Sequence, residues 1–184
     1  MKKIITANGD TFVPLLGERR IRARVKQLAR RISRDYRGTV PVFIGVLNGS
    51  FLFLADLIRE VTIACEVDFL KLSSYGDAKI SSGNVRLLKD LNCQVTGRDI
   101  IIVEDIVDSG LSVAYIRDLV LRQNPRSFRV VTLLYKEKSV TNSVELAYVG
   151  FRIPSDFVIG YGLDYAQRLR NLKQIYRLKK SRKA

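Results

Sequence analysis

A chain of 184 residues, 47% hydrophobic and 27% charged, has the length and apolar content of one compact domain and is neither disordered nor fibrous in composition. Its 32 Lys and Arg against 18 Asp and Glu give a net charge of +14, which invites a polyanion partner, but residues 1–40 carry 11 basic and 3 acidic side chains, residues 168–184 carry 8 basic and none acidic, and residues 41–167 hold 13 basic against 15 acidic. The absence of histidine excludes Ser-His-Asp and Cys-His catalysis and a His-ligated zinc site, and two cysteines, Cys65 and Cys93, are too few for a four-thiolate cluster or a disulfide framework.

The amino terminus, MKKIITANGD, places only Ile4 and Ile5 between its lysines and the polar residues that follow, so no signal-peptide core is expected and the chain reads as cytoplasmic. Ile21, Val25, Leu28, Ile32 and Tyr36 then fall on one stripe among arginines. That spacing predicts an amphipathic helix packed on a core, with its arginines in solvent. VPVFIGVLNGS ends in a glycine-containing turn and leads into FLFLADLIRE, read as a largely buried helix; strand, tight turn and helix open a βαβ unit. The apolar run from Val42 to Ile58 is broken by Asn48, Gly49, Ser50 and Asp56 and is not expected to span a bilayer.

In CEVDFLKLSSYGDAKISSGNVRLLKD two strands flank a Ser- and Gly-rich segment, residues 74–83, read as a mobile loop. RDIIIVEDIVDSGLSVAYIRDLVLRQNP predicts an apolar strand from Ile100 to Val103, an acidic turn and a helix closed by Asn124 and Pro125. FRVVTLLYK reads as another strand, FVIGYGLDY as a further one after Pro154, and LKQIYRLKKSRKA as a last short strand with a frayed basic tail over 179–184. With neither repeat nor linker, residues 1–184 read as a single α/β domain with a mostly parallel sheet.

In open parallel sheets, ligands bind where strand C-termini hand over to loops and helices. Residues 100–112, IIIVEDIVDSGLS, have that form. Glu104 and Asp105 end an apolar strand, and Asp108, Ser109, Gly110, Leu111 and Ser112 wrap into a helix N-terminus. Unpaired backbone N–H groups, the helix dipole and two hydroxyls favour an anion there, and Gly110 lets a phosphate approach the backbone. The two carboxylates suit ribose hydroxyls or a hydrated Mg²⁺, which binds through few carboxylates. An isolated D-x-G would read more plainly as a helix cap beside surface acids, but the full pattern of apolar strand, two acids, two aliphatics and D-S-G-x-S is far more specific. Neither G-x-x-x-x-G-K-[ST] nor G-x-G-x-x-G occurs.

This segment resembles the phosphoribosyl-pyrophosphate (PRPP) signature of the type I phosphoribosyltransferases, with Ser109 where the family often has Thr. Three more segments narrow the resemblance, over about residues 12–178, to the hypoxanthine(-guanine) phosphoribosyltransferases. VLNGSF is similar to the family's pyrophosphate loop, which implies diphosphate contacts from the backbone around Asn48 and Gly49 and a non-proline cis peptide just before residue 48. Asn48 stands where many members have Lys or Arg. LKLSSYGD sets Ser74 and Tyr75 at the start of a catalytic lid.

TLLYK together with SDFVIGYGLDYAQRLRNL implies a purine site. There Lys136 donates to the 6-oxo group, Phe157 stacks on the ring and the Val158 backbone reads the 2-position. Asp164 also belongs to this end of the site and helps hold Mg²⁺ with its diphosphate, while Arg170 contacts the leaving pyrophosphate. Without the resemblance, Phe157 would read as core and Arg170 as a solvated charge.

The resemblance further implies the type I phosphoribosyltransferase fold with a small hood subdomain. The implied reaction is phosphoribosyl transfer from PRPP to N9 of hypoxanthine or guanine in purine salvage, in a homodimer or homotetramer. Asp108 would be the general base or hydrogen-bond partner at purine N7, and Glu104 and Asp105 would take the ribose hydroxyls directly or through the metal. Two alternatives stand beside this. One is a phosphoribosyltransferase preferring xanthine. The other is an RNA-binding regulator on the same fold; the basic ends invite it, but they lack the aromatic interleaving of an RNA-stacking surface, so a nucleic-acid partner is not expected.

Overall fold

A six-stranded sheet occupies the centre of the structure, a computed structural model that describes residues 4–74, 85–141 and 145–179. Its strands in chain order are β3 (Val42–Leu47), β4 (Glu66–Ser74), β5 (Val85–Lys89), β6 (Asp99–Val107), β7 (Ser127–Tyr135) and β8 (Tyr148–Arg152), and they lie in the order β5-β4-β3-β6-β7-β8. All neighbours are parallel except β4 and β5. The expected mostly parallel α/β sheet is therefore present.

Three helices flank the sheet among the described residues: α1 (Glu18–Asp35), α2 (Phe51–Glu60) and α3 (Leu111–Leu121). Alternation along β6 distributes its apolar residues to both faces: Ile101 and Val103 join the core under α1 and α2, whereas Ile100 and Ile102 join the core under α3. The α1 stripe Ile21, Val25, Leu28, Ile32 and Tyr36 is buried as the spacing predicts, each such side chain contributing roughly 1.5–3 kcal/mol over exposure. α2 is amphipathic rather than buried throughout: Phe53, Leu54 and Leu57 are inside and Phe51 is exposed.

Two strand expectations need correction. β6 does not stop at Val103 but continues to Val107, because its ladder to β7 extends to Val107 opposite Tyr135, so Glu104 and Asp105 stand within the strand and not in a turn. In FVIGYGLDY only Val158–Ile159 is strand (β9). Positive φ at Gly160, Tyr161 and Gly162 turns the chain out of the ladder there.

A second, smaller sheet, β1-β2-β10-β9, is antiparallel and joins β1 (Ile5–Ala7) and β2 (Asp10–Leu16) to β9 and β10 (Ile175–Leu178). It has its own small core of Phe12, Ile159 and Tyr176 and forms the hood. Lys179 still belongs to this sheet's edge, its N–H donating to Thr11 O at 2.8 Å; the remainder of the tail, 180–184, lies outside the described residues. No described helix is long and apolar enough to cross a membrane.

Candidate active site

The strand order reverses direction between β3 and β6, and α2 and α3, which follow these two strands, contribute to the cores on opposite faces. A crevice opens at such a point beyond the strand C-termini. The β3–β6 ladder runs in register to Gly45 opposite Val103, so the chain leaving β3 emerges beside Asp105. The Leu47–Asn48 peptide is cis, as expected, and Gly49 lies so close to Asp105 that a Cβ on it would overlap the carboxylate. On its other side the Gly49 carbonyl meets Gly162 of the hood loop, where a Cβ would overlap that oxygen. Gly162 has φ +97°, a conformation open to glycine and strained for other residues. Three separate segments thus converge on one turn.

The carboxylates of β6 are held in an unfavourable state. Burial, then the neighbouring Asp105 charge, pushes the Glu104 carboxyl well above its ordinary pKa. Burial likewise raises Asp105, against the opposing pull of its backbone N–H partners and of Arg170. Among the described residues, Glu104 Oε2 is the buried side-chain oxygen or nitrogen with no hydrogen-bond partner. An orphaned buried oxygen beside a second, half-buried carboxyl calls for a cation or hydroxyl donors. No cluster of three or more potential protein ligands gathers among the described residues. Mg²⁺ does not require one, since it keeps several waters and binds through one or two carboxylates plus substrate phosphates, so this donor pair fits it.

Asp108, the residue directly after β6, meets Lys136, the residue directly after β7. Lys136 Nζ donates to Asp108 Oδ2 at 2.6 Å, with the lysine side chain 10% and the aspartate 53% exposed. The two groups predicted at purine N7 and O6 are therefore direct neighbours. Gly110 is the left-handed N-cap of α3, no side chain caps the helix, and within the loop Leu111 N–H makes a long 3.4 Å bond to Ser109 Oγ. Thr141 contacts the loop 108–112 from outside, its N–H donating to Ser109 O at 3.2 Å.

In the hood loop, Arg170 pairs with Asp164 at 2.8 Å and donates to Gly162 O at 2.8 Å, while Gln167 N–H donates to Asp164 Oδ2 at 2.9 Å. Phe157 is 46% exposed, with edge and tilted contacts to Tyr165 and Phe12. It is thus not the core residue that composition alone would suggest. Val158 is buried in β9 opposite Arg177. Ser74 ends β4; Tyr75 and the expected lid lie outside the described residues.

A family model for the phosphoribosyl transferase domain matches residues 15–166. The hypoxanthine-guanine phosphoribosyltransferase of Bacillus subtilis (strain 168) is 45% identical over 165 residues, covering 90% of this chain and 92% of its own. The chain belongs to the hypoxanthine(-guanine) phosphoribosyltransferase family. A crystal structure of a hypoxanthine-guanine phosphoribosyltransferase from Bacillus anthracis, with a HEPES molecule in its active site, superposes on this phosphoribosyltransferase with a TM-score of 0.86 at 39% identity, covering 95% of this chain and 99% of that one. The bifunctional TilS/HprT protein of Listeria innocua is 43% identical over 172 residues; the chain spans only 26% of its length.

Residues Tyr161, Gly162, Asp56 and Thr141 were not singled out by sequence. Their roles depend on pairings across the chain, and only the clustered glycines of GYG carried a local signal.

Proposed function

We propose that this phosphoribosyltransferase transfers the 5-phosphoribosyl group of PRPP to N9 of a 6-oxopurine, hypoxanthine and also guanine, releasing pyrophosphate. The observation that carries this reading is the 2.6 Å Asp108–Lys136 pair beside the uncapped N-terminus of α3. Purine N7 and O6 lie side by side on one edge of the base, and an adjacent carboxylate and ammonium match that edge.

In the reaction the bond from the anomeric carbon to the pyrophosphate oxygen breaks, N9 bonds to that carbon, and the N7 proton passes to Asp108. With no histidine in the chain, a carboxylate is the proton acceptor at hand. Lys136 turns from Asp108 to the 6-oxo oxygen and stabilises the charge that builds there. Adenine would set a 6-amino donor against this ammonium donor and leave both unpaired, at about 1–3 kcal/mol. The exposed ring of Phe157 stacks on the base and the Val158 backbone faces its 2-position.

Backbone N–H groups of Ser109, Gly110, Leu111 and Ser112, with the two serine hydroxyls, hold the 5′-phosphate. Fixing the sugar there lets its carbon move between leaving group and base. The backbone of Asn48 and Gly49, together with Arg170, receives the pyrophosphate. Glu104 and Asp105 take the ribose hydroxyls and, with Asp164, hold Mg²⁺. When bound, Mg²⁺ supplies charge neutralisation at the diphosphate. Ser74 and Tyr75 begin a lid that excludes water from the sugar cation.

Two unoxidised cysteines suit a cytoplasmic enzyme, and the pairing of β10 with β2 supports one domain over 1–184. We expect a homodimer or homotetramer, which light scattering after gel filtration reads directly. The deciding experiment is an absorbance assay of hypoxanthine, guanine, xanthine, adenine and uracil with PRPP and Mg²⁺. Turnover of hypoxanthine and guanine is expected; preference for xanthine would shift the substrate assignment, and no turnover of any base would remove the enzymatic reading.

A further inference from the structure

One half-buried contact lies away from every atom assigned to substrate, yet it ties together the two halves of the pyrophosphate subsite. Tyr161 is 6% exposed, and its hydroxyl donates to Asp56 Oδ2 at 2.6 Å across 105 residues of chain. Asp56 sits in the middle of α2, the helix that begins directly after the Asn48–Gly49 turn. The residue next to Tyr161 is Gly162, which abuts the Gly49 carbonyl. Gly162 N–H donates to Arg170 O at 2.9 Å, and Gly162 O accepts from Arg170 Nη1 at 2.8 Å. Arg170 in turn pairs with Asp164 at 2.8 Å.

A continuous chain of contacts therefore runs from α2 through Asp56, Tyr161 and Gly162 to Arg170 and Asp164. We infer that Tyr161 and Asp56 form a positioning pair that sets the distance between the Asn48–Gly49 turn and the Arg170–Asp164 pair, and so tunes affinity for the diphosphate of PRPP and for pyrophosphate. This rests on the PRPP reading above. The hydroxyl alone makes the bond, so its removal leaves the buried ring in the core under α1 and α2 while releasing the hydrogen bond to Asp56. Tyr165, which donates to Asp10 Oδ2 at 2.7 Å, is a comparable pair within the hood and does not reach α2, so it serves as a control.

The test measures KM for PRPP, KM for hypoxanthine, the inhibition constant of pyrophosphate and Tm in four variants. Tyr161→Phe and Asp56→Ala are expected to raise KM for PRPP and the pyrophosphate constant on the order of tenfold, the loss of one charge-assisted hydrogen bond, with KM for hypoxanthine within about twofold. Asp56→Asn keeps a carbonyl oxygen to accept from Tyr161 and should restore both constants. Tyr165→Phe should lower Tm without moving either. A purely structural role would lower Tm in Tyr161→Phe and leave both constants in place; that result, or an equal rise in KM for hypoxanthine, overturns the inference. Calorimetry of magnesium pyrophosphate binding to wild type and Tyr161→Phe supplies the same comparison without turnover. A wild type that binds pyrophosphate but converts no base would sink the PRPP reading while leaving the pair testable.

Discussion

The acidic C-terminal ends of β6 and the arginine-rich face of α1 make an instructive pair. On α1 most of the arginines near β8 already have partners. Arg24 donates to the carbonyls of Gly150 and Val149 at 2.8 and 2.7 Å, closing part of an exposed sheet edge. Arg20 lies over Phe151 and Arg31 over Tyr148, at 5.4 and 5.0 Å from the ring centroids. Arg152, on β8 itself, covers Tyr135 and pairs with Glu137. The neighbouring acids Glu104 and Asp105 of β6 are in the opposite condition: buried and half-buried, repelling each other, and with one oxygen unpartnered.

Charge that is satisfied internally stabilises a fold, whereas charge held unsatisfied marks a binding site. The large positive excess of the chain is thus, on this face, partly structural. The arginine expectation for α1 is revised accordingly: several of its guanidiniums bridge to β8 instead of standing free in water.

The contrast can be broken most severely at Gly49. Gly49→Ala puts a methyl into the Asp105 carboxylate and should cost roughly 100-fold in kcat/KM, the scale of a misplacement near 1 Å, with little change in Tm; wild-type kinetics would mean that the turn relaxes freely. Asp108→Asn should lower kcat by about 100-fold while PRPP binding survives, because a positioned base contributes on that order. Unchanged turnover would take Asp108 out of the mechanism.

Asp68, a buried acid of β4, sharpens the comparison through pH. Burial pushes Asp68 up, but backbone N–H groups of Cys93, Phe69 and Asn92 overrule it and bring it to about 2. Since the folded value lies below the unfolded value near 3.9, its contribution is complete above about pH 4 and disappears as pH falls toward 2, about 2 kcal/mol in all. Asp68→Asn should flatten that acid limb in denaturation at pH 2 to 5; an unchanged limb would deny Asp68 this role. The smallest effect is expected at Arg24→Ala, about 1 kcal/mol or a few degrees in Tm, with no change in KM for PRPP. A kinetic defect there would show that the basic face takes part in turnover after all.

Most of the central sheet and the strand–acid–helix segment proposed as the phosphate cradle were legible because they are local: strand, acids and helix N-terminus lie within 100–112, and the α1 stripe announces itself by period. The hood was legible only at β10: β1 and β2 were missed, as was β8 at the edge of the central sheet, and FVIGYGLDY gives only the short β9, because its backbone turns left-handed after Ile159. Asp108 and Lys136 were each visible from motif, but their contact required the parallel neighbouring of β6 and β7. The Tyr161–Asp56 link left no sequence trace at all, since neither residue type is unusual where it stands.

β10 lies between β2 and β9, with Ile175 opposite Leu16 and Arg177 opposite Val158. During synthesis on a ribosome, β2 emerges beside its hairpin partner β1 but about 160 residues before its other partner, β10, a wait of roughly ten to thirty seconds at usual elongation rates. The parallel sheet with its acids can collapse in that interval, but the strand carrying Val158 and the neighbouring Phe157 has no ladder partner until β10 arrives. On the proposed placement of Phe157 and Val158 against the base, completion of the purine site is therefore a late event of synthesis that awaits the four residues of β10.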